Sequence, residues 1–81
     1  MNIYLISQSQ NTNYDTYDSC VVSAESEIKA AKWNPNTDST KWPAFDEYSS
    51  WCASPENVTV KLVGHTETEC AGFILKSFKA G

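Results

Sequence analysis

The most reactive side chains of this 81-residue chain are those of three cysteines and a single histidine. They are Cys20, Cys52, His65 and Cys70. Such a set could form a Cys3His zinc site, or one thiol could act as a nucleophile with His65 as its base. The cysteines lack the short spacing of zinc motifs, and their odd number and wide separation indicate reduced thiols that serve as small core residues. The sequence therefore predicts no catalytic residue, no metal site and no cofactor.

Two tyrosine–aspartate pairs lie close together within residues 13–19. Their hydroxyl and carboxylate groups could contact a ligand or a partner protein. The alternative is a loop stabilised by its own hydrogen bonds, since Asn and Asp side chains often bond to nearby backbone in turns. The candidate binding residues are Tyr14, Asp15, Tyr17 and Asp18.

A second candidate surface is the aromatic-rich loop within residues 34–57, which contains Trp42, Phe45 and Trp51. Aromatic side chains supply much of the binding energy at protein interfaces, so these three residues could form a contact surface. The alternative is a lid that completes a small core. We expect Trp51, which lies nearer to a strand, to belong to the lid. Trp42 lies beside Pro43 in polar surroundings, and we expect it to contact a partner.

Four segments have the composition and alternation of β-strands, at residues 2–8, 19–24, 58–63 and 73–78. The first carries apolar side chains on both sides, as expected for a strand that is covered on both faces. In the last two strands we expect Leu62 and Leu75 to be core positions.

A short helix is predicted over residues 26–34. The hydroxyl of Ser26 can accept a hydrogen bond from the first turn, and Pro35 ends the helix. We expect Ile28 and Ala31 to pack against the sheet. The order β-β-α-β-β predicts an α+β fold: a four-stranded antiparallel sheet with one short helix on one face and a long aromatic-rich loop.

Length and charge limit the classes of function that the chain can have. Its length fits a single domain over residues 1–81, and its net charge is −4, with six lysines and no arginine. This balance argues against nucleic-acid binding and suits either solubility or a basic protein partner. No basic start followed by a long apolar run is present, and no stretch approaches the roughly 20 apolar residues of a membrane span. We therefore expect a cytoplasmic protein without membrane contact.

Segments near the two ends of the chain form a set: residues 3–8 (IYLISQ), 14–19 (YDTYDS), 21–27 (VVSAESE) and 72–81 (GFILKSFKAG). Together they resemble a family of short bacterial and phage-type proteins of about this length, whereas residues 34–54 do not share in the resemblance. The family has no activity attached to it, so the resemblance implies a phage or prophage context and no catalytic residues. Small acidic proteins in that context are often binders, some of which inhibit host enzymes.

The leading hypothesis is a small non-enzymatic protein-binding module, derived from a phage or prophage, that inhibits a host protein. The first alternative is a small-ligand-binding protein that uses residues 14–19. The second is a metal-dependent or Cys/His enzyme built on His65 and the cysteines. The partner is expected to be a protein, and its identity and the oligomeric state are left open.

Overall fold

A computed structural model of the chain describes residues 1–12, 16–46, 49–67 and 70–79. Its elements are strand β1 (Asn2–Ser7), strand β2 (Thr16–Ala24), helix α1 (Glu27–Ala31), one turn of 3₁₀-helix (Pro55–Asn57), strand β3 (Thr59–His65) and strand β4 (Gly72–Lys79). The four strands form one sheet in the order β3-β1-β2-β4, and each neighbouring pair is antiparallel. The predicted α+β fold with the order β-β-α-β-β is confirmed.

Strands β1 and β2 form the centre of the sheet, with Tyr4 opposite Val22 and Ile6 opposite Cys20. Strand β2 begins at Thr16, three residues before its predicted start at residue 19. Part of the predicted loop is therefore strand. Threonine and tyrosine favour extended backbone, and the amide of Tyr17 donates a 2.8 Å hydrogen bond to the carbonyl of Ser50.

One face of the sheet is covered by α1 and by the irregular chain that follows it. The buried side chains come from both layers and form one cluster: Tyr4, Ile6, Cys20, Val22, Ala24, Ala30, Trp51 and Cys52. The partly buried rings of Trp33, Trp42 and Phe73 pack against this cluster. The irregular chain therefore contributes more large side chains to the core than the helix does.

Helix α1 is shorter than predicted and presents a different face to the sheet. Ser26 caps it as expected, because its hydroxyl accepts a hydrogen bond from the amide of Lys29. Ala30 is buried, whereas Ile28 is 73% exposed, so the prediction that Ile28 packs on the sheet is wrong. In an α-helix, the side chains of two residues that are two positions apart point in directions that differ by about 200°. Ile28 lies two positions before the buried Ala30, so its side chain points to solvent. Within the described chain, no helix is long and apolar enough to cross a membrane.

Leu62 and Leu75 are not core positions as predicted, since they are 48% and 64% exposed. Leu62 lies opposite the buried Tyr4, but on an edge strand where the covering layer leaves half of its side chain in solvent. Leu75 lies opposite Val21, on the face of the sheet that points away from the core. Alternation placed Leu62 on the covered face of β3 correctly, but it did not show that Leu75 lies on the uncovered face of β4.

Two buried amide side chains attach the covering layer to the central hairpin. The Gln8 amide donates to the carbonyls of Asn11 and Tyr17 at 2.7 and 2.9 Å, and its oxygen accepts from the amide of Asn11. The Asn11 side chain then donates to the carbonyls of Ser49 and Trp51 at 2.7 and 3.1 Å. These bonds hold Trp51 against the sheet.

Replacing Trp51 should destabilise the fold more than replacing either predicted core leucine. Trp51→Ala removes the largest fully buried side chain and should lower the free energy of unfolding by about 3–5 kcal/mol. Leu75→Ala should cost less than about 1 kcal/mol, because its side chain is mostly exposed. Urea unfolding followed by circular dichroism measures both, with Trp51→Phe as a milder variant that stays folded. Equal losses for Trp51→Phe and Leu75→Ala would show that Trp51 does not close the core.

The buried amides can be tested with a matched pair of asparagines that bond to the same segment. Asn11→Ala leaves two carbonyls without their donor and should cost about 1–3 kcal/mol. Asn36 also bonds to this segment, through the Ser50 hydroxyl at 2.6 Å, but it is exposed. Asn36→Ala should therefore cost less than about 1 kcal/mol in the same urea experiment. A larger loss of stability for Asn36→Ala than for Asn11→Ala would show that the buried amides do not anchor the covering layer.

Candidate functional site

The uncovered face of the sheet carries a row of side chains that crosses all four strands. Successive side chains of a strand alternate between faces, so the neighbours of the buried Tyr4 and Ile6 point away from the core. Leu5 and Val21 in this row are half-buried, and Leu75 is exposed. In strand order β3-β1-β2-β4, the row is Lys61, Leu5, Val21 and Leu75.

A second row on the same face consists only of hydroxyl side chains. It lies two residues along each strand from the first row and contains Thr59, Ser7, Ser19 and Ser77. Hydroxyl groups both donate and accept hydrogen bonds, so this row offers polar contacts without charge. Lys61 is the sole charged side chain of the two rows. We call these eight residues the open face.

Next to the open face, the end of the same sheet face that contains Ser23 is covered. Ser23 is buried, and its hydroxyl donates a 2.7 Å hydrogen bond to the carbonyl of Cys70. The chain before β4 therefore covers this end, while Leu5, Val21 and Leu75 remain accessible.

Both edges of the sheet are interrupted by a β-bulge. The pairing of β1 with β3 skips Val63, and the pairing of β2 with β4 skips Ile74. Bulges increase the local twist of an edge strand and disfavour the addition of a further strand. The face is thus a better surface for a partner than either edge.

The structure places the tyrosine–aspartate candidates in different environments. Tyr17 is half-buried and packs against the core, and the Lys76 ammonium lies 5.8 Å from its ring centroid. Lys76 also lies 4.7 Å from the Phe73 ring centroid and forms an ion pair with Asp38. Asp18 is exposed, at an irregularity in the pairing of β2 with β4. Tyr14 and Asp15 lie outside the described residues.

The three aromatic candidates of the long loop also differ in exposure. Trp51 is 1% exposed and belongs to the core cluster, which is the place that the lid interpretation gives it. Trp42 is half-buried against the core, and its indole N–H donates a 2.8 Å hydrogen bond to the carbonyl of Lys32. Phe45 is exposed. Among the described residues of the loop, Phe45 is therefore an exposed ring and Trp42 presents part of a second ring.

Two of the three thiols are poorly suited to chemistry. Burial raises the pKa of Cys20 to about 12 and the pKa of Cys52 to about 11. Both thiols are protonated at neutral pH, whereas nucleophiles and metal ligands are thiolates. Cys70 is exposed. Among the described residues, no group of three or more His, Cys, Asp or Glu side chains could hold a metal ion.

His65 is held in a hydrogen-bonded chain at one end of the sheet. The Asn2 amide nitrogen donates to the Tyr4 hydroxyl at 3.0 Å, and the Asn2 amide oxygen lies 2.7 Å from Nδ1 of His65. The amide oxygen can only accept, so Nδ1 of His65 carries the proton. These bonds join β1 to β3, which gives His65 a structural role.

No protein-family model, curated protein or solved structure matches the chain. The resemblance to short phage-type proteins therefore stays a prediction.

Sequence reasoning missed the open face, although a signal for it was present. The apolar side chains on both sides of β1 predict a strand covered on both faces, whereas the described residues leave the side of Leu5 largely uncovered. Only the end of that side, where Ile3 lies opposite the buried Ser23, is covered.

Thiol labelling should separate the cysteines by burial. At pH 8 a thiol reagent should react quickly with Cys70 alone, because the raised pKa values of Cys20 and Cys52 leave almost no thiolate. All three should react after denaturation. Absorbance of the released chromophore counts the reactive thiols, and Cys70→Ser should remove the fast phase. Rapid reaction of a second thiol in the folded protein would contradict the assigned burial.

Proposed function

We propose that the chain is a small non-enzymatic protein-binding module that contacts its partner through the open face. The observation that carries this proposal is the composition of β1. A central strand with apolar side chains on both sides is typical of a sheet covered on both faces. Here Leu5 lies on the uncovered side of β1, beside Val21 and in one row with Leu75. A bound protein would supply the missing cover.

The size of the open face favours a partner other than a second copy of the chain. Four strands spaced about 4.8 Å apart, each with about six residues, give a whole sheet face of roughly 400 Å². The open face is only part of it, because the end around Ser23 is covered. A stable interface takes about 800 Å² from each partner. Packing of two such faces alone would fall short of that area. A larger partner can add contacts with the sides of this molecule, whose dimensions are 37 × 22 × 17 Å.

The charge of the chain supports a partner with a basic surface around an apolar patch. The net charge is −4, and the open face itself contains no carboxylate. Attraction would therefore come from acidic residues near the face, such as the exposed Asp18, which lies next to Ser19 on β2. Charge of this kind mainly speeds association and selects among partners, while apolar contacts supply the affinity. In a phage or prophage context, the partner would be a basic host protein that is inhibited by the bound module.

The proposal can be tested with two substitutions of exposed apolar residues on opposite sides of the molecule. Leu75→Asp introduces a charge on the open face and should reduce capture of a basic protein from bacterial lysate by more than about tenfold. Ile28→Asp introduces the same charge on α1, at a residue that is 73% exposed, and should leave capture unchanged. Both variants should keep the melting temperature. Capture should also weaken as salt is raised, because screening reduces attraction between exposed charges.

Two other results would overturn the proposal. The first is a dimer in sedimentation equilibrium that Leu75→Asp dissociates, which would make a second copy the cover of the open face. The second is capture that survives Leu75→Asp and is lost in Trp42→Ala or Phe45→Ala, which would move the contact surface to the aromatic loop.

A further inference from the structure

A pocket of about 320 Å³ lies on the helix side of the molecule, between α1, the end of β2 and the chain before β4. Its apolar lining residues are Met1, Ala24, Trp33 and Ala71, and its charged side chains are Glu25, Lys29 and Lys32. No residue of this pocket belongs to the open face. It is therefore a separate candidate site, independent of the proposed protein interface.

The aromatic wall of the pocket is held in place. The ring of Trp33 packs edge-on against Phe73, with 5.4 Å between ring centroids and 75° between planes. The amide of Trp33 donates to the carbonyl of Ala30 at the end of α1. A fixed indole beside small alanine side chains leaves room for a flat apolar group against the ring.

The two lysines of the pocket differ in their partners. Lys29 forms an exposed ion pair with Glu25 at 2.6 Å. Lys32 takes part in neither of the two ion pairs found in the described part of the chain. Its backbone is fixed, because the carbonyl of Lys32 accepts the indole hydrogen bond from Trp42. The Lys32 ammonium is thus available to an anion at the rim of an apolar pocket.

Size and charge together define the class of ligand. A volume of about 320 Å³ lies at the small end of ligand pockets and fits a molecule with a single ring. The net charge of −4 repels polyanions, whereas one or two lysines within a few ångströms can still attract a single negative charge. We infer that this pocket binds a small aromatic carboxylate, with its ring against Trp33 and its carboxylate on Lys32. The Thr40 hydroxyl, also in the pocket lining, can donate to the same carboxylate.

Titration of the intact chain with phenylacetate, followed by amide NMR, tests this assignment. Saturable shifts should appear at Ala24, Lys32, Trp33 and Ala71, with a dissociation constant below about 10 mM. Lys32→Gln should raise that constant about fivefold without changing the melting temperature, since Lys32 is exposed and forms no ion pair with any described residue. The uncharged analogue phenylacetamide should bind more weakly by a similar factor. Lys61→Gln, on the open face, is the matched control and should have no effect.

Three results would overturn the inference: no saturable shift up to about 10 mM phenylacetate, equal affinity for phenylacetamide, or equal affinity for the Lys32→Gln variant. None of them bears on capture of a protein by the open face. Failure of the pocket and failure of the proposed function are therefore distinguishable.

Discussion

The buried bonds between Gln8, Asn11 and the backbone of residues 49–51 are the constraint on which the rest of the structure depends. The sheet needs a second layer, and a five-residue helix that buries only Ala30 cannot supply it. The layer comes instead from irregular chain, whose backbone groups have no ladder to pair with. Asn11 provides donors for two of those carbonyls and so holds Trp51 over the core. Without these hydrogen bonds, Trp51 would no longer cover the sheet, and the apolar side chains of the core would be exposed to solvent.

This arrangement gives the sheet two faces with different roles. The covered face gains stability from a dense cluster around Ile6, Val22 and Trp51. The open face also has apolar side chains on neighbouring strands, but nothing in the described chain covers Leu75. In the described chain, one irregular segment and one short helix are used to cover one face. The exposure of Leu75 is therefore a direct consequence of how the core is closed.

The strands, their antiparallel pairing and the capped start of the helix could be predicted, because alternation, capping and proline act locally. The covered face of β4 could not be predicted from alternation. Alternation places Leu75 and Lys76 on opposite faces, but it does not show which of the two faces is covered by the second layer. Ile28 was misassigned since the direction of so short a helix is set by packing, and only Ala30 fits against the sheet. Trp42 and Trp51 belong to the same irregular segment, and their different burial follows from bonds to the Lys32 carbonyl and the Asn11 side chain, which the local sequence does not reveal. For the open face, the apolar side chains on both sides of β1 were the signal in the sequence.

A sheet face with exposed apolar side chains favours aggregation. Several features of the chain restrict which molecules can cover this face. The bulges at Val63 and Ile74 twist both edges, so a second sheet cannot simply extend this one. The hydroxyl row gives the face groups that must be matched, because a partner that buries them without hydrogen bonds loses affinity. The net charge of −4 makes copies of the chain repel each other while it attracts basic proteins. Each feature weakens self-association more than it weakens binding to a basic, shape-matched partner, which is the selectivity that a binding module requires.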